Sequence, residues 1–196
     1  MYEVDKEWIL SNADNGVVRS SIVSKQRIHR SVLSRMVKEG DLIQCSRGIY
    51  MIADEWEDEF YLLQQKYKRG IFSHTTALYL QGYSERVPMS FHLTFPTRYH
   101  AVSLKNENVV ITRVKDSNYE LGITEIETPS GNQVVTYDVE RSLCDVLRGS
   151  GDDIQIVQYA MKKYVVSRQR NINKLMEYAK RLHVEKKVRN YIEVLL

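Results

Sequence analysis

Six lysines and arginines, Arg19, Lys25, Arg27, Arg30, Arg35 and Lys38, fall in a twenty-residue stretch that holds no Asp or Glu. Interleaved with them are His29, Ser31 and Ser34. These residue types suit nucleic acid. A guanidinium can grip guanine O6 and N7 with two donors, a hydroxyl can bond to a base or a phosphate, and an ammonium neutralises phosphate. The spacing places Arg30, Ser31, Ser34 and Arg35 nearest the bases and Lys25, Arg27 and Lys38 at phosphates. Arg47, in the tip Ser46-Arg47-Gly48, is placed to touch the backbone or enter a neighbouring minor groove. The chain of 196 residues carries 28 basic and 25 acidic residues, so the local concentration of charge, and not the net +3, is the signal. If about six phosphates are neutralised, the slope of log affinity against log salt is near −5.

A second run of cations lies toward the C-terminus: Lys162, Lys163, Arg168, Arg170, Lys174, Lys180, Arg181, Lys186, Lys187 and Arg189, opposed only by Glu177 and Glu185. Tyr159, Tyr164, Tyr178 and Tyr191 sit among them. Cations with aromatic neighbours can hold a nucleic-acid strand, either extending a DNA footprint or contacting RNA. The competing reading makes the tyrosines partly buried anchors and the cations a solvated face.

Carboxylates offer a third chemistry. Asp138, Glu140 and Asp145 would serve a metal-dependent nuclease or nucleotide-transfer enzyme if they converged with a lysine beside them. Asp138 is equally well explained as a helix N-cap. Gly149-Ser150 and Asp152-Asp153 lie too close together for a nucleotidyltransferase signature. The chain has no GxxxxGK[ST], HExxH or GxSxG motif, and its five histidines and two cysteines show no metal-ligand spacing. The expectation is a protein without catalysis, metal or cofactor. A DNA-targeted enzyme and a protein-interaction scaffold remain as alternatives.

The elements that must position these residues follow from periodicity. Glu3 to Asn12 has helical spacing and ends at the Asn15-Gly16 turn. Ser20 or Ser21 begins a short helix through Lys25. A longer helix runs from His29 to Glu39, with Val32, Leu33, Met36 and Val37 as its apolar stripe and Gly40 as its stop. Leu42–Cys45 and Ile49–Ile52 make a hairpin, with Gly48 supplying a positive φ. Helix, helix, hairpin is the order of a winged helix-turn-helix. The acidic segment 54–59 opens a helix through Tyr67, and the domain boundary is set between residues 53 and 54. Ser73 caps a helix to Gln81. Alternation in Phe91, Leu93 and Phe95 marks a strand that leaves His92 exposed, and His74 is a structural residue at a helix start. Strands 109–114, 123–128 and 134–137 follow, then helices 138–147, 152–167, 172–182 and 185–195. The fold class is α+β: a winged helix-turn-helix over 1–53, then a mixed α+β domain over 54–196 that ends in helices. No apolar run approaches the length of a membrane span, the N-terminus lacks the form of a secretory signal, and Cys45 and Cys144 suggest reduced thiols in a cytoplasmic protein.

RGIYMI, the later FSHTTALYLQGYSERVPMSFHLTFP and TPSGNQVVTYDVERSLCDVLRG together resemble the AbiEi family of antitoxins over nearly the whole chain. The resemblance implies an antitoxin of a type IV toxin–antitoxin system that acts in abortive phage infection. Its N-terminal winged helix would bind inverted repeats in its own promoter and repress the operon. Its C-terminal domain would counter a nucleotidyltransferase toxin without a stable complex. Inverted repeats would recruit two copies, which can assemble on the DNA.

Overall fold

The computed structural model describes residues 1–53, 58–99, 108–149 and 153–195. Contacts divide the chain into two units, Met1–Lys68 and Arg69–Leu196. The division falls after Lys68 and not after residue 53, because the helix Glu59–Lys66 goes with the first unit.

The first unit begins with helix α1 (Tyr2–Ser11), strand β1 (Val17–Arg19), helices α2 (Ser20–Lys25) and α3 (Ser31–Glu39), strands β2 (Leu42–Ser46) and β3 (Ile49–Ile52), and helix α4 (Glu59–Lys66). The helix begins at Ser31 and not at residue 29, with Arg30 as its N-cap; one residue earlier, His29 Nδ1 accepts from the Ser31 amide at 3.3 Å. Gly40 ends α3 at φ +83°, a left-handed conformation that lets the Asp41 amide close on Met36 O at 2.9 Å. The three strands form an antiparallel sheet in the order β1-β3-β2, with Val17 opposite Met51 and Leu42 opposite Ile52. Strand β1 was missing from the sequence expectation. Its three residues, Val17, Val18 and Arg19, are too few to show an alternation. Ile9, Val18, Val23, Leu33, Met36 and Leu42 form the core of this unit. Asp58 caps α4 by accepting from the Tyr61 amide at 3.1 Å; the neighbouring residues 54–57, three of them acidic, lie outside the described residues.

The second unit holds β4 (Ile71–Phe72), α5 (His74–Leu80), β5 (Phe91–Pro96), β6 (Val109–Val114), α6 (Asp116–Tyr119), β7 (Ile123–Glu127) and β8 (Gln133–Tyr137). Helices α7 (Val139–Arg148), α8 (Ile154–Val166), α9 (Ile172–Arg181) and α10 (Glu185–Leu195) complete it. Its five-stranded sheet runs β6-β5-β4-β8-β7, with parallel β5–β6 and β4–β8 pairs and antiparallel β4–β5 and β7–β8 pairs. The protein is therefore mixed α+β and ends in a helix. Leu143, Val146 and Leu147 on α7, Ala160 and Met161 on α8, Leu175 and Ala179 on α9 and Val188 on α10 share one apolar core. No helix among the described residues is long and apolar enough to cross a membrane.

Candidate nucleic-acid interface

Helix α3 is strongly two-faced. Leu33 and Met36 are fully buried, while Ser31, Ser34, Arg35 and Lys38 are exposed. The apolar face is fixed by the core of the first unit, so the polar face has nowhere to point but outward. The turn between α2 and α3 carries Arg27 at φ +60°, a left-handed conformation that disfavours a residue with a Cβ. Arg27 is thereby exposed at the corner of the two helices. A groove of about 730 Å³ runs along this face, lined by the start of α1, the α2–α3 turn, and His29, Ser31, Ser34, Arg35 and Lys38.

The expected contacts divide into two groups. Lys25, Arg27, Lys38 and Arg47 are exposed and take no side-chain partner among the described residues. Arg30 is exposed too, with a long 3.4 Å contact to Ser24 Oγ. His29 Nδ1 pairs with Ser31 Oγ at 2.8 Å, so these two polar groups hold each other. Arg19, in contrast, is turned into the protein. It reaches Asp14 at 3.5 Å and hydrogen-bonds Gln65, and its Nε is buried without a partner. Asp14 and Gln65 claim the guanidinium, so Arg19 is not one of the free cations of this face.

Arg35 is exposed but not isolated. Its Nε donates to Glu39 Oε1 at 2.7 Å, one turn along α3, and its guanidinium carbon lies 3.7 Å from the centroid of the Tyr2 ring. The Tyr2 hydroxyl donates to the other oxygen of Glu39. Glu39 is held below the usual carboxylate range, first by the Tyr2 hydroxyl and then by the Arg35 guanidinium, so it stays charged. The acid-free stretch stops one residue short of this partner.

Arg47 owes its position to the hairpin. Gln44 faces Tyr50 and Ser46 faces Ile49, so Cys45 is an extra residue in β2 and the strand bulges just before the tip. Gly48 turns the tip at φ +79° and packs against the first residue of α2.

In the second unit the ten expected cations scatter in role. Lys174 bridges Asp138 at 3.0 Å and Glu140 at 3.3 Å. Lys187 donates to Leu147 O at 2.6 Å, Arg181 to Ser117 O and Arg170 to Val165 O, each tying down a backbone carbonyl. Arg189 pairs with Glu185 at 2.9 Å. Lys163 lies 5.8 Å from the Tyr159 ring centroid. Lys162, Arg168, Lys180 and Lys186 are exposed on α8, the following turn, α9 and α10. Tyr164 is buried, and Tyr178 and Tyr191 are half-buried. The Tyr159 hydroxyl donates to Glu85 at 2.6 Å.

The three carboxylates of the enzymatic alternative are each engaged. Asp138 caps α7 by accepting from the Arg141 amide at 2.8 Å, and a Cβ at Gly122 would meet its oxygens at 3.0 and 3.1 Å. Glu140 accepts from the Tyr164 hydroxyl at 2.9 Å. Asp145 holds Arg141 Nε through both oxygens, at 3.0 and 3.1 Å, in a pair that solvent barely reaches. Arg141 also donates to Asn118 O and Leu121 O and lies over the Tyr137 ring. No group of three or more metal-ligating side chains occurs among the described residues. Ser150 and Asp152 lie outside them; Asp153 caps α8 by accepting from the Gln155 amide at 2.8 Å.

His74 and His92 form a pair that the sequence did not announce, with ring centroids 5.2 Å apart. His92 is not simply exposed: α5 covers that face of the sheet, and its Nδ1 is buried without a partner. Burial pushes the pKa of each down to about 4, with Arg141 and Arg148 adding to the effect at His74 and His74 to that at His92. Ser73 does not cap α5 through its side chain. Its Oγ instead meets His74 Nδ1 at 3.0 Å and accepts from Thr94 at 2.9 Å.

No family model and no curated protein matches the chain. Among solved structures, it is similar to the crystal structure of the RV2827C protein from Mycobacterium tuberculosis, with a TM-score of 0.59. The match covers 98% of this chain and 80% of that one at 10% sequence identity, so it speaks to the fold alone.

Proposed function

We propose that the protein is a DNA-binding repressor, its first unit a winged helix-turn-helix that lays α3 in the major groove of duplex DNA. One observation carries the reading: α3 buries a continuous apolar stripe and turns Ser31, Ser34, Arg35 and Lys38 outward in a unit of order α1-β1-α2-α3-β2-β3. A recognition helix needs that division, and a following hairpin with a cation at its tip supplies the wing. Arg30 and Arg35 then meet bases. Lys25, Arg27, Lys38 and Arg47 neutralise phosphates.

The second unit is proposed to carry the antitoxin role of a type IV system, countering a nucleotidyltransferase toxin in abortive phage infection without a stable complex. The protein works in the cytoplasm and represses its own operon as copies that meet on inverted repeats. What supports this half is the resemblance of FSHTTALYLQGYSERVPMSFHLTFP and TPSGNQVVTYDVERSLCDVLRG to the AbiEi antitoxins. A nucleic-acid role for the second cationic run now rests on Lys162, Lys163, Arg168, Lys180 and Lys186, since the other five have local partners.

A gel-shift series with the DNA upstream of the protein's own gene tests the first half. The triple variant Lys25→Ala/Arg27→Ala/Lys38→Ala should lose binding while keeping its helical circular dichroism. Undiminished binding by that variant would remove the assignment. Growth on inducing a partner nucleotidyltransferase, with and without this protein, tests the second.

A further inference from the structure

Arg35 makes a poor phosphate ligand in this structure, and the reason suggests what it is for. A phosphate contact wants an uncompensated cation on a flexible stem, as Lys25 and Lys38 provide. Arg35 has its charge countered by Glu39 at 2.7 Å, and its guanidinium carbon lies over Tyr2, 3.7 Å from the ring centroid. Tyr2 is bonded to the same Glu39, and Lys6 lies 4.0 Å from it and 2.6 Å from Asp41. Two residues of α1 and one of α3 thus fix a single side chain that remains 57% exposed. The fixation uses only Nε. The two terminal nitrogens take no partner among the described residues, and Arg35 lines the same groove as Ser31 and Ser34. A planar pair of free donors held at a set angle is what guanine O6 and N7 require, and ordering the side chain beforehand removes most of its entropy cost on binding.

We propose that Tyr2 and Glu39 are positioning residues that hold Arg35 to read one guanine of the bound site. This rests on the DNA-binding reading above and goes beyond it by dividing the cations into one base reader with built-in supports and a set of phosphate contacts. Glu39 contributes a second kind of selectivity: its carboxylate repels phosphate, so Arg35 is discouraged from sliding onto the backbone.

The test is selection of binding sites by the full chain from a pool of duplexes with a randomised core, followed by titration of single-base variants of the winning site. The wild type should enrich a site with a required guanine. Arg35→Ala and Arg35→Lys should lose the preference at that one position. Tyr2→Leu and Glu39→Gln should lower it about tenfold, the loss of one well-formed bidentate contact. Tyr2→Phe, which keeps the stacked ring, should retain part of it. In all of these the salt slope should be unchanged, because no phosphate contact is removed. Failure of the wild type to bind the pool, or binding without enrichment, sinks the DNA-reading proposal itself. Enrichment of a guanine that depends on Arg35 but not on Tyr2 or Glu39 leaves that proposal standing and overturns the positioning role. Thermal unfolding of each variant separates both outcomes from loss of fold.

Discussion

The amide of Ser20 donates to the carbonyl of Gly48 at 2.9 Å, so the first residue of α2 is bonded to the tip of the β2–β3 hairpin. A Cβ added at Gly48 would stand 2.8 Å from Ser20 Oγ. The tip that carries Arg47 and the helix that carries Lys25 are therefore set relative to each other by a contact only glycine permits. Gly48→Ala should destabilise the fold by about 1–3 kcal/mol, combining the left-handed φ with the clash. Adding Ser20→Ala should recover the steric part and leave the conformational part. Chemical denaturation of the two single variants and the double measures the split.

Arg27 gives the opposite sign. It sits at φ +60° with an exposed side chain, so Arg27→Gly should stabilise the protein by roughly 0.5–1 kcal/mol. The same change should weaken DNA binding and lower the salt slope by about 1. A variant that is more stable yet binds less well is hard to explain by misfolding. Equal loss of stability and binding would count against the phosphate role.

His74 ties stability to pH. Its folded pKa is pushed down to about 4 by burial, against about 6.5 for a free imidazole. Below pH 6.5 the unfolded chain takes up a proton that the folded chain refuses. Stability should therefore fall as pH drops from about 6.5 and level off near 4, by up to about 3 kcal/mol from this residue. His92 adds a smaller loss of the same sign, since it is less deeply buried. His74→Asn keeps a side chain that accepts the residue's φ of +52° and removes the titration. Urea midpoints between pH 7.5 and 5 should vary less in that variant than in the wild type.

Arg141 and Asp145 test whether the acidic cluster is chemistry or architecture. Removing one member of a buried pair leaves the other uncompensated, so Arg141→Ala and Asp145→Ala should each cost about 3–5 kcal/mol. Both should show as lowered thermal midpoints. Metal-dependent nuclease activity that vanishes in Asp138→Ala while stability holds would reverse the assignment.

The elements with strong periodicity were legible in the sequence. The stripe of Val32, Leu33 and Met36, the Gly40 stop and the Asp138 cap all lie within one turn of the residues that reveal them. Short strands were not: β1 and β4 have three and two residues, and the pairing of β4 with both β5 and β8 is long-range. The site was legible to the same depth. Sequence showed which side chains are cationic but not which are already engaged. Arg19 is claimed by Asp14 and Gln65, Arg35 by Glu39 and by Tyr2 from another helix, and Lys174 by Asp138 and Glu140 at the start of α7. Tyr2, Gln65 and the acids held by Lys174 are distant in sequence and leave no local spacing to read, whereas Arg35 and Glu39 stand one helical turn apart.

The most direct test of the central claim is the salt dependence of binding to the duplex upstream of the protein's own gene, followed by fluorescence anisotropy. With Arg19 held by Asp14 and Gln65 and Arg35 proposed as a base reader, Lys25, Arg27, Lys38 and Arg47 are the cations proposed for phosphates. Each bound copy should give a slope of log affinity against log salt of roughly −4, and two copies on an inverted repeat about twice that. Arg47→Ala should reduce the slope by about 1 per copy. Binding that is absent, or that ignores salt, would contradict the DNA-binding account.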